Sequence, residues 1–511
     1  METGEALENN SPQNEFSETE KPVSDESAPQ ETAEPSLEPV PEAESPAPQV
    51  LEEDVPKADD ASALRAHYEE LARAELPLLK PDWPTDEIVD QAEELSAFGG
   101  PWKRKEIHRI ELTDKPFGKD AWDVSEAGDG SIMAWVEEED EKKTLYIGAG
   151  GPIRMPADMT GMFQGYSAAT QLILNGLADF SLVENATNAF SFSSFESLEF
   201  EGVPFSSLQY SDGMFQRCEQ LLSLNLNGMT MDRIIRMNSM FDGCEKLESL
   251  NLRGLNTSRT REMSNVFLYC TSLTELDLSG FTTSRVLIMN SMFEQCVNLR
   301  KLNLSGWDTS SVTDMNFMFS ECHKLEELDI SSFQTSEVLD MSFMFSGCKS
   351  LLSLDVSGFD TAKVMKMGGM FLNCEQLDHL DLSHWNTSSV TDMRQMFQGC
   401  IYLTSLDLGS FDTSSVTQMD FMFQGDAYLK EVNVSSFRTD KVTDFGWMFA
   451  GSASLDRLDL SGFSLASAVS MTEMFRDCIA LTSIGVDPSS FGNGDTTDMY
   501  LNSALLDAAA K

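Results

Sequence analysis

Positive charge is what this sequence is shortest of. Against 84 Asp and Glu stand 35 Lys and Arg, a formal charge of -49, and the basic residues form no cluster. Nucleic-acid binding works through Lys/Arg patches that displace phosphate counterions, so that partner class is excluded. A surface this acidic selects cations and basic surfaces instead. Long apolar runs are missing as well: no stretch reaches about eighteen residues, so no transmembrane helix is expected. The first fifty residues hold no basic-then-apolar export signal, and the final LNSALLDAAAK is no hydrophobic anchor tail. That leaves a cytosolic chain or the mature part of an exported one. Histidine is scarce, with His67, His108, His323, His379 and His384 in unmatched contexts and at no spacing that suits a metal. G-x-S-x-G, phosphate-loop, HExxH and paired-cysteine metal motifs do not occur. The chain is therefore expected to be no enzyme and to hold no cofactor or metal; a catalytic site would have to lie within 61–120.

Proline is confined in a telling way. Nine of the 18 prolines lie in residues 1–60, an acidic Ser/Glu/Ala/Pro segment too poor in apolar residues to fold, expected to be a disordered spacer or stalk. Residues 61–119 follow as a helical accessory segment. Leu64, Tyr68 and Leu71 form one stripe; Thr85 can cap a second helix lined by Ile88, Ala92 and Leu95 and stopped at Gly99 and Gly100. In 120–158, two β-rich runs, Ile132 to Val136 and Thr144 to Ile147, predict a hairpin that caps what comes next.

What comes next, over 159–487, is one sentence written repeatedly. The pair Met-Phe recurs every 26 residues, as at Met214-Phe215, Met240-Phe241, Met292-Phe293, Met318-Phe319 and onward to Met474-Phe475. Val266-Phe267 replaces it once, Met162-Phe163 opens the series, and the frame at Asn188-Ala189 has lost it. Thirteen frames result without an insertion, the mark of a solenoid, with a C-terminal tail at 488–511. The frame around Asn188 is expected to be the weakest. All nine cysteines share one phase of the repeat, with Asp426 and Ser452 in the missing slots. That makes the slot a packing position for buried thiols rather than a disulfide framework.

Each frame divides in three. LxxLxL, as in Leu299/Leu302/Leu304, ends with strand periodicity, and three residues on stands a large anchor: Phe281, Trp307, Phe333, Phe359, Trp385, Phe411, Phe437 or Phe463. A polar turn such as Asp308-Thr309-Ser310-Ser311 follows, its short side chains suited to bonding the local backbone. Val312, Met315, Met318 and Phe319 then recur at three- to four-residue spacing, which predicts a short helix or 3₁₀ segment. The fold class is an α/β repeat solenoid.

LxxLxL with a large apolar residue at +3 resembles a leucine-rich repeat, and the TSSVTDMxxMFxxC segment resembles specifically the BspA-type repeats of bacterial and protist surface proteins. The lead-in WDVSEAGDGSIMAWVEEEDEKKTLYIGAGG is similar to the segment that often precedes them. The resemblance covers roughly 121–486. It implies a leucine-rich-repeat superhelix and an adhesin-like protein at the cell surface or outside the cell, binding host, matrix or other cell-surface proteins.

The candidate binding residues stand between the two strand leucines: Asn225, Asn251, Asp277, Asn303, Asp329, Asp355, Asp381, Asp407, Asn433 and Asp459. At strand spacing they form a ladder about 4.8 Å apart, where like charges side by side are unfavourable unless solvated, bonded or neutralised. Three uses compete. The side chains bond the turn hydroxyls of Ser279, Ser305, Ser331, Ser357, Ser383, Ser435 and Ser461 two residues on; or they make a concave acidic face for a basic or polar partner; or they hold calcium, for which no glycine-rich calcium loop is present. The rival to a binding protein is a structural spacer with no dedicated ligand.

Overall fold

A computed structural model describes residues 76–82, 92–200, 202–486 and 494–505. The expected spacer, the Leu64/Tyr68/Leu71 stripe, Thr85 and Ile88 lie outside the described residues.

The capping region is built on β1 (Arg109–Thr113), β2 (Trp122–Asp123), β3 (Met133–Glu139) and β4 (Lys142–Gly148). Strands β3 and β4 form an antiparallel hairpin whose two-residue turn, Asp140 and Glu141, has positive φ at both positions, as the tight hairpin turn requires. The hairpin does not meet the first frame directly. Strand β1 lies between β4 and β6 (Gln171–Ile173), parallel to both. So the stretch expected to be a helical accessory segment supplies a central strand. Its other described elements are single 3₁₀ turns, Ala92–Glu94, Ala97–Gly99 and Arg104–Glu106, and not the helix predicted from Ala92 and Leu95.

After β5 (Ile153–Arg154), β6 and β7 (Ala178–Asp179), the frames contribute β8 (Ser197–Glu199), β9 (Ser223–Asn225) and β10 (Ser249–Asn251), which extend the β1 sheet in parallel. Further on, β11 (Glu275–Asp277) pairs with β12 (Lys301–Asn303), and β13 (Ser405–Asp407) with β14 (Glu431–Asn433). The leucines on either side of each ladder residue pack inward, as Leu276 and Leu278 do, while Glu275 and Asp277 face solvent.

The predicted helical piece is absent: among the described residues there is no α-helix, and the Met-Phe segment is a run of turns. In Met315 to Cys322 the amides alternate. Met315, Phe317, Phe319 and Glu321 donate to the next frame, at Asp340, Ser342, Met344 and Ser346, whereas Met318, Ser320 and Cys322 close local turns on the residue three before. A helix would send every amide back along itself. Two left-handed residues per frame, Phe317 (φ 55) and Glu321 (φ 59) here, turn the chain each time. The side-chain spacing that predicts a helix is thus a turn repeating every four residues. The strain of the left-handed backbone, about 1 kcal/mol per non-glycine residue, is offset because each buried amide finds a partner in its neighbour.

The core is a set of columns. Phe215, Phe241, Phe267, Phe293 and Phe319 stack face to face at 5.5 to 5.7 Å. Phe190 belongs to this column, 5.5 Å from Phe163 and 5.4 Å from Phe215. The frame at Asn188-Ala189 therefore keeps its phenylalanine, one residue late. Local turns place the extra residue between Leu177 and Phe180, and its removal between Ser193 and Ser197. The reading of frames without insertion is corrected here, and so is the reason for calling this frame weak. At the other end, Tyr500 stacks on Phe475 at 5.8 Å, and the Phe475 amide bonds the Met499 carbonyl, so the stack continues into the segment taken as a tail.

All nine cysteines are buried and free. Each thiol donates to a phenylalanine carbonyl of the preceding frame, as Cys296 does to Phe267 at 3.1 Å. Ser452 does the same with its hydroxyl, to Phe423 at 2.9 Å. A second column went unread in the sequence. Thr283, Thr309, Thr335, Thr361, Thr387, Thr413 and Thr439 are buried, and Thr361 both donates to the Asn386 carbonyl (3.0 Å) and accepts from its amide (2.9 Å). These hydroxyls replace a backbone pair between frames; they do not bond locally as the polar-turn reading has it.

Candidate interaction face

All ten ladder residues use one side-chain oxygen in the same way: it accepts the amide two residues on. Asn225 takes Asn227, Asn251 takes Arg253, Asp277 takes Ser279, Asn303 takes Ser305, and Asp329 takes Ser331. Asp355 takes Ser357, Asp381 takes Ser383, Asp407 takes Gly409, Asn433 takes Ser435 and Asp459 takes Ser461, all at 2.9 to 3.2 Å. The Ser331 and Ser357 hydroxyls add donations of 2.7 and 2.6 Å. The side chains thus bond the turn chiefly through its amides, not the hydroxyls expected, which donate at Ser331, Ser357 and Ser435.

Exposure distinguishes the members. Asn225 and Asn251 are half-buried, and the other eight are exposed. Hydrogen bonds from the serine two residues on hold the carboxyls of Asp277, Asp329, Asp355 and Asp381 below the ordinary carboxylate value, and Asp459 is lowered by the same partners. They are charged throughout the neutral range.

The ladder is not uniform. Where Asp277 meets Asn303 and Asp407 meets Asn433, the asparagine amide donates across to the carboxylate, at 2.9 and 2.7 Å, and the strands pair. Asp329, Asp355, Asp381 and Asp407 are instead four carboxylates in consecutive frames, and none of the three steps between them shows regular strand pairing. Charge beside charge at strand spacing is unfavourable, but the Asn251–Asp277, Asn303–Asp329 and Asn433–Asp459 steps also lack regular pairing. Among the Asp-containing steps, pairing goes with an Asn that donates back to the Asp of the preceding frame. Glu326, Glu327 and Asp378 lie in the same stretch.

A second row of carboxylates, outside the sequence-predicted site, runs through the column Asp314, Asp340, Lys366 and Asp392, whose members pair frame to frame in isolated bridges. This row is internally neutralised: Lys366 bonds Asp340 at 3.0 Å and Arg394 bonds Asp392 at 2.8 Å. Its signal in the sequence, Asp before Met in TDM, was visible but was absorbed into the expected helix. His379 and His384 flank Asp381 in sequence, but among the described residues no three His, Cys, Asp or Glu side chains are grouped to hold a metal. Nor is any described helix long and apolar enough to cross a membrane.

The frame-to-frame bonding of the Met-Phe segments runs from Met159 to Leu501. Over almost the same span, four overlapping stretches, 155–249, 207–327, 298–406 and 402–499, match the family described as Mycoplasma protein of unknown function, DUF285. The chain belongs to this family. No curated protein matches it. In this DUF285 chain the four matches, each longer than three frames, fit a unit that is stable only when stacked. The last match ends at the Met499-Tyr500 frame, past the boundary at 487 drawn from the sequence.

Proposed function

We propose that this protein is a non-enzymatic, adhesin-like interaction protein of the cell surface or extracellular space. Its stacked frames make a leucine-rich-repeat solenoid of the BspA type, a superhelix whose concave strand face binds a basic protein: a host, matrix or other cell-surface protein. The observation that carries this reading is the row Asp329, Asp355, Asp381 and Asp407, exposed, and consecutive without an intervening Asn or cation. Asn433 donates to Asp407 at one end of the row, whereas Asn303 at the other end donates away from it, to Asp277, so Asp329, Asp355 and Asp381 take no amide from a neighbouring ladder residue. A spacer with no ligand has no use for such a row, since alternating Asp and Asn would pair the strands better. An opposing row of Lys or Arg would remove the repulsion and supply specificity and a fast, salt-sensitive encounter.

The test is to pass the full chain over immobilised matrix and serum proteins at low and physiological salt, beside a variant carrying Asp329→Lys, Asp355→Lys and Asp381→Lys. Saturable binding that weakens with salt and disappears in the variant is expected. Binding that the variant retains would remove the acidic face from the reading, and the absence of any binding would favour the spacer.

A further inference from the structure

One edge of the strand face carries an aromatic stack that stops short. Tyr402 and Tyr428, one frame apart, stack at 5.4 Å with their planes 19° from parallel. Both are about half exposed. The next two frames put Ser454 and then Ala480 in that column, so the face of Tyr428 turned away from Tyr402 has no ring to cover it. Beside Ser454 and Ala480 lies a depression of about 560 Å³, edged by Ile479, Asp456, Lys430 and Glu431. That volume suits a ligand group. Ile479 is 65% exposed at its rim, among the described residues second only to Val469 of the large apolar side chains.

The depression is continuous with the ladder face. Glu431 is the first residue of β14, whose third residue, Asn433, is a ladder member, and Asp459 follows one frame later. Around it stand the carboxylates of Glu431, Asp456 and Asp459, with Lys430 and, one frame beyond Glu431 in the same register, Arg457 as the nearby cations. A flat row of exposed carboxylates gives little affinity by itself, because exposed ion pairs are weak. Interfaces gain most of their affinity from a few buried anchors, usually aromatic.

We infer that this depression receives a planar aromatic side chain of the partner protein, flanked there by Lys or Arg, which continues the Tyr402–Tyr428 stack over Ser454. The inference rests on the proposed basic partner of the acidic face. A ring over Ser454 would stand one frame beyond Tyr428, as Tyr428 stands beyond Tyr402, at the edge of a depression lined by Ser454, Ile479 and Ala480 and not by the tyrosines themselves. Its basic neighbours would lie against Asp456 and Glu431.

The experiment uses the full chain and three fluorescein-labelled peptides, Gly-Lys-Trp-Lys-Gly and its forms with Leu or Gly in place of Trp, read by fluorescence anisotropy at low salt. The Trp peptide is expected to bind about tenfold more tightly than the Gly peptide. That advantage should vanish in Ser454→Tyr, which fills the slot with a side chain the column accepts twice already, and in Tyr428→Ala. Equal affinity of the Trp peptide with the Gly or Leu form, or an advantage that survives Ser454→Tyr, would overturn the anchor. If all three bind equally and the Asp329→Lys, Asp355→Lys, Asp381→Lys variant abolishes binding, the anchor falls while the acidic face stands. If no peptide binds at all, both fall.

Discussion

Arg104 donates through Nη1 to the carbonyl of Gln164, 2.7 Å away, although 60 residues separate them. That carbonyl belongs to the column in which Ser346 accepts the amide of Glu321 from the frame before. The first frame has no frame before it, and a buried guanidinium takes the missing place, also bonding Gly161 at 2.8 Å and pairing with Asp82 at 3.0 Å. Arg104→Met keeps the length of the side chain but strands the Gln164 carbonyl and leaves the largely buried Asp82 without its guanidinium partner. A loss of about 3 kcal/mol is expected, read as faster amide exchange at residues 159–164 with the central frames unchanged. Uniform acceleration along the chain would show that the capping role is misassigned.

The threonine column should respond to the loss of a hydroxyl and not to a change of shape. Thr361→Val is nearly isosteric, yet it removes both bonds to Asn386. The expected cost is about 1 to 3 kcal/mol in chemical denaturation. Ser311→Ala, which removes one half-buried donation to the Ser284 carbonyl, should cost less than half as much.

Asp426 occupies a cysteine slot. It is fully buried, its Oδ1 accepts the Cys400 amide at 2.9 Å, and its Oδ2 has no partner. The thiol of Cys400 and the hydroxyl of Ser452 flank it in the column, and burial pushes its carboxyl well above the ordinary 3.8. The native state then holds a proton that the unfolded chain gives up. Stability should therefore fall as pH rises above 3.8, by up to about 1.4 kcal/mol per unit, until the native carboxyl also ionises. Asp426→Ser restores the donor found at position 452, so it should raise stability at pH 7 and remove this slope from urea unfolding curves collected between pH 4 and 8. A slope identical to the parent's would place the titration elsewhere.

Left-handed backbone is carried by serine at Ser239, φ 54. Ser239→Gly should relieve that strain and raise the midpoint of unfolding by the equivalent of about 0.5 to 1 kcal/mol. A lower midpoint would mean that the serine side chain contributes more than its backbone costs.

The thiols should be silent. Burial pushes the Cys296 thiol up to about 12, and every cysteine is inside. A thiol reagent at pH 8 is expected to modify none of the nine in the native protein and all nine in denaturant. Rapid native labelling of even one would reveal a frame that opens readily.

Periodicity made most of the stack legible. The inward leucines, the anchors Trp307 and Trp385, and the cysteine slot are all read from residue type at fixed phase, because burial in a repeat is itself periodic. The backbone was harder. Met315, Met318 and Phe319 have a helix's spacing, but spacing records which side chains turn inward and not where the amides go, and here every second amide leaves for the next frame. Thr361 looked like its turn neighbours because nothing local marks a hydroxyl as buried. Strand β1 was hidden in 61–119 because its partners, β4 and β6, lie far along the chain. In the candidate face, the identity of the ten residues could be read directly. What could not be read was that Asn303 and Asn433 each pair with the Asp of the frame before, whereas no regular pairing joins Asn303, Asp329, Asp355, Asp381 and Asp407 to one another.

Every frame-to-frame amide in the Met-Phe segments points the same way, from each frame toward the C-terminal one. Along these segments the stack has a polarity, whereas just before them amides such as Thr313 donate the other way, to Leu287 of the preceding frame. A duplicated or deleted unit leaves all the remaining junctions intact, whereas a partial one must be cancelled nearby, as the extra residue before Phe180 is cancelled before Ser197. Whole frames can thus be added or removed to lengthen or shorten the stack without a new kind of junction.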